Sequence, residues 1–325
     1  MAASHVLVTG GAGFIGSHTV DRLLDDGHRV TVLDDFSQGS RLNLATRLGL
    51  PELVVIAGDV AEPLAPTLAG AVARLGPIER VVHLAAQTSV TRSFEAPLAD
   101  LRVNAGGTLQ VLEYAREHGV RAVAFASSAA VYGDATELPV REDFVPAPLS
   151  PYGVHKLASE QYLQSWSAVH GVSTTPLRFF NVYGPRQDPG SPYSGVISLF
   201  FARAFANAPL NVDGDGSQTR DMVYVSDVVD AVTRAVFRDD GRGEPINVGT
   251  GGQVTVAELA RLVVSFAKSN SVITHGPART GSIVHSRAAV ERARELLGFV
   301  AQIRVAAGLE RTAAWFAAER ANTLA

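Results

Sequence analysis

The chain has 325 residues, 46% of them hydrophobic and 18% charged, and a formal net charge of -4. That length gives a prior of two domains with a sizeable core, and the charge balance excludes the global basic field of a nucleic-acid binder. The absence of cysteine excludes disulfides, thiolate nucleophiles and cysteine-rich zinc sites, and no metal site is expected.

In chain order, Met1-Ala2-Ala3-Ser4-His5 runs straight into Val6. It lacks the charged-then-apolar layout of a signal peptide, and no apolar run reaches the roughly 18 residues of a membrane span. A cytoplasmic protein with no membrane partner is the expectation. Val6–Thr9, His28–Leu33, Leu53–Ala57, Arg80–Leu84 and Ala122–Ala126 are short, Val-rich and apolar on both faces, the pattern of parallel strands covered on both sides. Helical patterns lie between them, over Ile15–Asp26 and Leu98–Glu117. The alternation predicts an α/β fold, a Rossmann-like doubly wound parallel sheet with right-handed crossovers.

Beyond residue 180 the texture changes. Gly184, Pro185, Pro189, Gly190, Pro192 and Gly195 crowd one stretch, a loop long enough to carry function. Asp213-Gly214-Asp215-Gly216 precedes a strand expected over Asp221–Val225. Thr255-Val256-Ala257-Glu258 has capping-box spacing before a helix through Phe266. Arg287–Leu324 reads mostly as helix. The expected domains are 1–180 and a smaller mixed lobe over 181–325, with returns to the main sheet near 221–250.

Gly10-Gly11-Ala12-Gly13-Phe14-Ile15-Gly16 follows the first strand and opens the first helix. Small residues there let the chain turn tightly, present backbone N–H groups to a pyrophosphate and pack helix on strand. The second strand ends in Asp34-Asp35, about 20 residues on, where an acid meets the adenosine ribose hydroxyls of a dinucleotide. A carboxylate there repels a 2′-phosphate, so NAD is favoured over NADP. A plain tight turn and a strand-end turn residue are the ordinary alternatives for the two features taken singly.

The spacing Gly-x-x-Gly-x-x-Gly resembles that of the short-chain dehydrogenase/reductase superfamily. The resemblance implies that Asp59 and Val60, in Gly58-Asp59-Val60, contact the adenine. It places Leu84, Ala85 and Ala86 along the cofactor and gives Asn104 a helix-stabilising role beside it. Asp35, Ser37, Gly39 and Phe179 complete the implied cofactor set.

Ser150-Pro151 is a good helix start, and Tyr152-Gly153-Val154-His155-Lys156 follows. Spacing of four puts Tyr152 and Lys156 on one face, where an ammonium and then a cationic nicotinamide lower the phenol toward neutral pH. A surface helix pair is the alternative. Phe125-Ala126-Ser127-Ser128-Ala129-Ala130-Val131-Tyr132-Gly133 ends an apolar strand, the end at which open α/β sheets bind ligands. By the family's Ser-Ser-Ala-Thr-Val-Tyr-Gly run, Ser128 is the catalytic hydroxyl and Ser127 its neighbour. His83 and His155 read as structural.

The run Leu177–Gln187 and the run Gly214–Val225 place the chain among the extended members. It resembles NAD-dependent sugar-nucleotide epimerases and dehydratases, above all the UDP-glucose 4-epimerases, over nearly its whole length. The implied substrate is a UDP-hexose, inverted at C4 through a 4-keto sugar, with N-acetyl forms admitted because Ser286 is small. Asn181 matches a contact to the UDP moiety, and Arg220 and Arg279 match the diphosphate arginines; a pair with Asp221 and a free surface charge are the alternatives for the two arginines. Ser89, Ser127, Ser128, Tyr152 and Val196 complete the implied substrate wall. Ala129 and Ala130 stand where dehydratases and decarboxylases carry extra acids, and Ser282 and Ala289 stand where the family carries Asp. The alternatives are a UDP-glucuronate 4-epimerase, met by Ser127 and Arg186, or a net NAD-dependent sugar-nucleotide oxidoreductase. With Ser128, Tyr152 and Lys156 all present, a non-enzymatic regulator is disfavoured. A homodimer is expected from the resemblance, with helices Leu98–Glu117 and Pro151–His170 pairing across a two-fold.

Overall fold

The computed structural model describes residues 3–189, 195–278 and 283–324. Six strands and six helices alternate over its first part. Strands β1 (His5–Thr9), β2 (Arg29–Asp34), β3 (Leu53–Ala57), β4 (Arg80–His83), β5 (Ala122–Ser128) and β6 (Ser173–Phe179) join a further strand, Ile246–Val248. They form one seven-stranded parallel sheet in the order Ile246–Val248, β6, β5, β4, β1, β2, β3. The order reverses between β1 and β4. At such a point the loops leave in opposite directions and open a crevice at the strands' carboxyl ends.

Every residue of β1 and β4 is buried, because helices cover both faces. On one face lie α1 (Phe14–Asp25) and the helix Val225–Val236, with Val20, Leu23, Val228 and Val232 in one core with Val6 and Val8. On the other lie α2 (Leu64–Leu75), α5 (Gly107–His118) and α6 (Pro151–His170), contributing Leu68, Val111, Leu112 and Leu163. The short helices α3 (Val90–Glu95) and α4 (Pro97–Leu101) precede α5 and pack on α6. A separate apolar cluster with Phe200, Phe201, Leu259, Val263 and Leu309 holds the helices Val196–Phe205, Val256–Phe266 and Val305–Leu324 together.

Three expected elements differ in detail. The helical pattern over Leu98–Glu117 is divided into α4, a π-helical stretch Arg102–Gly106 and α5. The bulge turns Asn104 toward the loop after β4: its side chain accepts from the Gln87 N–H and donates to the Gln87 carbonyl, both at 3.0 Å. π-Bulges concentrate where a helix must supply such a side chain. The strand expected over Asp221–Val225 is Met222–Tyr224, paired in parallel with Asn181–Tyr183, and Val225 already starts a helix. The helix expected over Arg287–Leu324 is two, Glu291–Leu297 and Val305–Leu324; the first ends at Gly298 with φ +60°, a left-handed cap that glycine takes without strain.

Candidate active site

The crevice at the sheet's carboxyl edge begins with the glycine turn. Gly10 has φ +69°, and a Cβ on it would stand 2.7 Å from the Ala85 nitrogen. The turn therefore lies directly on the segment Leu84-Ala85-Ala86. A Cβ on Gly16 would run into the Gly10 carbonyl, so α1 sits hard against the turn. Gly13 caps α1 with no side-chain hydrogen bond, and the first intrahelical bond is Ser17 N–H to the Gly13 carbonyl. The N–H groups of Phe14, Ile15 and Gly16 thus lie ahead of the helical ladder, the arrangement that receives a pyrophosphate.

Asp34, at the end of β2, is 6% exposed. Its carboxylate accepts from the Ala12 N–H at 2.8 Å and the Phe36 N–H at 2.9 Å. Burial pushes its pKa up against those two bonds. Asp35 accepts from the Ser37 N–H and hydroxyl, and a Cβ on Gly39 would press on the Asp34 carboxylate. A tight backbone cradle with open first-turn donors and an acid one strand away fits a dinucleotide. Asp59 lies two residues past β3, where its carboxylate is shared between the Ala61 N–H and Arg102. Val60 is buried against Gly107, and Phe179, the last residue of β6, stands opposite Ser128 in register.

The second part of the crevice is built on α6. Ser150 accepts from the Gly153 N–H and Pro151 takes the first helical position, which starts the helix beside the end of β5. Ser128 caps the short turn Ala129–Tyr132 through the Ala130 N–H and adjoins the Tyr152 phenol. Lys156 is 2% exposed. Its ammonium donates to the Ala126 carbonyl at 2.8 Å and lies 5.8 Å from the centre of the Tyr152 ring. Ser128, Tyr152 and Lys156 are therefore brought together at the carboxyl end of β5. Burial pushes Tyr152 up to about 12, with the Ser128 hydroxyl acting downward and the Asp100 charge upward. The lowering expected from Lys156 is thus not a property of the chain alone. Burial brings Lys156 down to about 8, against the charges of Asp100 and Glu160.

Ser127, one residue earlier, faces elsewhere. Its hydroxyl donates to Glu160, whose carboxylate also takes a bidentate pair of bonds from Arg178, and all three side chains are buried. That network withdraws Ser127 from the wall on which the sequence placed it. Ser89 is buried and caps α3 by accepting from the Arg92 N–H. His83 is buried between the hydroxyls of Thr9 and Thr108, and burial brings it down to about 3, so it is neutral.

On the lobe side, Asn181 is exposed and Val196 begins its helix. Arg220 donates to the carbonyls of Thr219 and Val284, and among the described residues it has no acidic partner. Burial lowers its pKa. The pair with Asp221 does not form: the Asp221 carboxylate accepts from the N–H groups of Thr250, Gly251 and Ala288 and from the Thr250 hydroxyl. Asp221 so pins two loops next to Arg220. Ser286 donates its N–H to the Thr219 carbonyl and borders a small cavity shared with Ala129, Tyr132, Gly133 and Phe180. Ala289 is buried. Arg279 and Ser282 lie outside the described residues. Arg186 is ion-paired with Asp21 at 2.8 Å.

Two neighbours of this cluster escaped the sequence reading. Asp100 and Gln87 are buried beside α6; the clue was Asp100 lying four residues before Asn104.

The model of the NAD dependent epimerase/dehydratase family matches residues 6–249. The chain belongs to the NAD-dependent epimerase/dehydratase family. It is 40% identical over 311 residues to the UDP-glucose 4-epimerase of Mycolicibacterium smegmatis, covering 95% of this chain and 97% of that one. Among solved structures it is similar to the UDP-glucose 4-epimerase of Thermotoga maritima with UDP-glucose. There the TM-score is 0.90 at 35% identity, over 97% of this chain and 99% of that one. It is similar also to the UDP-N-acetylglucosamine 4-epimerase of Methanobrevibacter ruminantium in complex with UDP-N-acetylmuramic acid. There the TM-score is 0.90 at 33% identity, over 98% and 100%. This member of the family is an enzyme and NAD is its cofactor.

Proposed function

We propose that the enzyme interconverts UDP-hexoses epimeric at C4. The observation that carries the reading is the composition of the catalytic cluster. Ser128, Tyr152 and Lys156 converge, and the residues following Ser128 are Ala129 and Ala130. A base, a hydroxyl and a hydride acceptor suffice to oxidise and re-reduce one carbinol carbon. Elimination of water needs a further acid and base, which the two alanines do not supply. The named relatives with 4-epimerase activity support the same reaction.

Phe14, Ile15 and Gly16 would hold the pyrophosphate of NAD, Asp34 its adenosine ribose and Lys156 its nicotinamide ribose. When bound, NAD would supply the hydride acceptor, and then the hydride donor, for C4 of the sugar. Tyr152 accepts the C4 hydroxyl proton on its phenolate oxygen, with Ser128 bridging the two oxygens. Arg220, which has no carboxylate partner among the described residues, binds the diphosphate oxygens. Anchored there, the 4-keto sugar turns about its link to the diphosphate and exposes its other face. Tyr152 returns the proton to the same oxygen as the C4 configuration inverts.

Ser286, a small residue where it borders the substrate side of the crevice, supports acceptance of N-acetylhexosamine forms as well. Arg186 and Ser127, the groups that would meet a uronate carboxylate, are engaged with Asp21 and Glu160, which favours a neutral hexose. The test is product analysis by chromatography after incubation with UDP-galactose, UDP-N-acetylgalactosamine and UDP-galacturonate. A gluco product from the first, and from the second if the small Ser286 side chain admits the N-acetyl group, is expected. Product from UDP-galacturonate alone would replace the hexose reading with the uronate one.

A further inference from the structure

Asp100 is a buried acid that the mechanism does not use. It is 1% exposed, at the end of α4 just before the π-helical stretch. One carboxylate oxygen meets His155 Nδ1 at 2.5 Å and the other accepts from Gln87 Nε2 at 2.6 Å. An ionised carboxylate only accepts, so His155 carries its hydrogen on Nδ1. His155 lies between Tyr152 and Lys156 on α6. Gln87 holds the loop after β4: its side chain brackets Ser89 through that residue's N–H and carbonyl, and its backbone is clamped by Asn104.

We propose that Asp100 is a positioning residue for the catalytic pair: through His155 and Gln87 its buried carboxylate ties the loop 84–89 to the helix carrying Tyr152 and Lys156, and it is the counter-charge to the buried ammonium of that helix. The assignment of Tyr152 and Lys156 as that pair rests on the epimerase reading. Two acids act on Lys156, Asp100 and Glu160. Glu160 is already matched by the Arg178 guanidinium. Among the described residues Asp100 is paired with no arginine; its partners are the His155 imidazole and the Gln87 amide. It is therefore the acid whose charge is left to act on the ammonium, which burial otherwise drives toward the neutral amine.

The other charged groups on elements packed against α6 are accounted for. Arg92 and Glu95 of α3 are exposed. Arg102 is paired with Asp59 and Glu62. Arg116 of α5 is shared by Glu113 and Glu117, and His118 bonds the Tyr114 carbonyl. The Tyr132 hydroxyl donates to Asn247.

The sequence offers a clean readout. The chain contains two lysines, Lys156 and Lys268, and Lys268 is exposed. Holoenzyme labelled with carbon-13 at lysine Cε gives two resonances, assigned with Lys268→Arg and titrated with pH without substrate. In Asp100→Asn the Lys156 midpoint is expected to fall by at least about half a pH unit, as for loss of a nearby opposite charge. In His155→Leu, which leaves the carboxylate with one donor fewer, the midpoint is expected to rise. An unmoved or raised midpoint in Asp100→Asn, or an unmoved or lowered one in His155→Leu, overturns the proposal; if the first variant does not fold, the second decides. A purely structural role would reduce turnover without displacing either midpoint. Failure of the protein to turn over UDP-sugars would sink the epimerase reading and leave this titration standing.

Discussion

The Lys156 ammonium donates to the Ala126 carbonyl at 2.8 Å, two residues before Ser128 on the same strand. One hydrogen bond thus couples the helix that carries Tyr152 to the strand that carries its hydroxyl partner. It also removes the ammonium from water, which is why burial lowers it to about 8 while Tyr152 stands near 12.

Those two directions give a pH profile. Turnover needs Tyr152 as the phenolate and Lys156 as the ammonium. Activity is expected to rise with pH as the phenol deprotonates, up to the Lys156 midpoint, and to level off above it, where each further gain of phenolate is offset by loss of ammonium. Tyr152→Phe should lose about 10²–10⁴-fold in kcat, the usual contribution of a positioned acid–base group, with its thermal unfolding unchanged. A pH-independent rate between 6 and 9 would count against this assignment (the window is about one to two units either side of neutrality).

Removing the Asp34 carboxylate leaves the Ala12 and Phe36 N–H groups without their acceptor. Asp34→Ala is expected to cost about 1–3 kcal/mol of stability, the penalty of unsatisfied buried donors, and to release NAD on gel filtration. Retention of the dinucleotide at wild-type level would show that the acid at the end of β2 is not a ribose ligand.

Much of this site was legible because its chemistry is written in local spacing. The glycine turn needs small residues at positions 10 and 16, for contact at both and for a left-handed φ at Gly10, and Tyr152 and Lys156 lie one helical turn apart. What stayed hidden depends on the fold. Ser127 and Ser128 are adjacent in sequence, yet only the packing of Glu160 and Arg178 behind β5 shows which one is withdrawn. The break at Arg102–Gly106 was invisible to helical periodicity because Asn104 answers a loop 17 residues away. Asp100 was passed over for the same reason, since its partners come from α6 and from that loop.

Arg220 donates to two carbonyls and, among the described residues, faces no acid. Arg220→Ala should raise KM for the UDP-sugar about 10–100-fold, as expected for one or two charge-assisted bonds of about 1.5–3 kcal/mol, with a smaller change in kcat. Equal KM values for the variant and the wild type would take Arg220 off the diphosphate.

Val90, Phe94, Leu98 and Leu101 on α3 and α4, and Val154 and Tyr162 on α6, are exposed. We propose that a second copy of the chain covers this face. Leu98→Glu should convert a dimer to a monomer in sedimentation at micromolar concentration. A wild type that sediments as a monomer would remove the proposal.

The most direct test of C4 epimerisation by a returned hydride is the fate of the C4 hydrogen. UDP-galactose carrying deuterium at C4 should give UDP-glucose with the deuterium still on C4, and with a slower initial rate than the unlabelled sugar. Loss of the label to water, or steady build-up of reduced cofactor without a gluco product, would contradict the account.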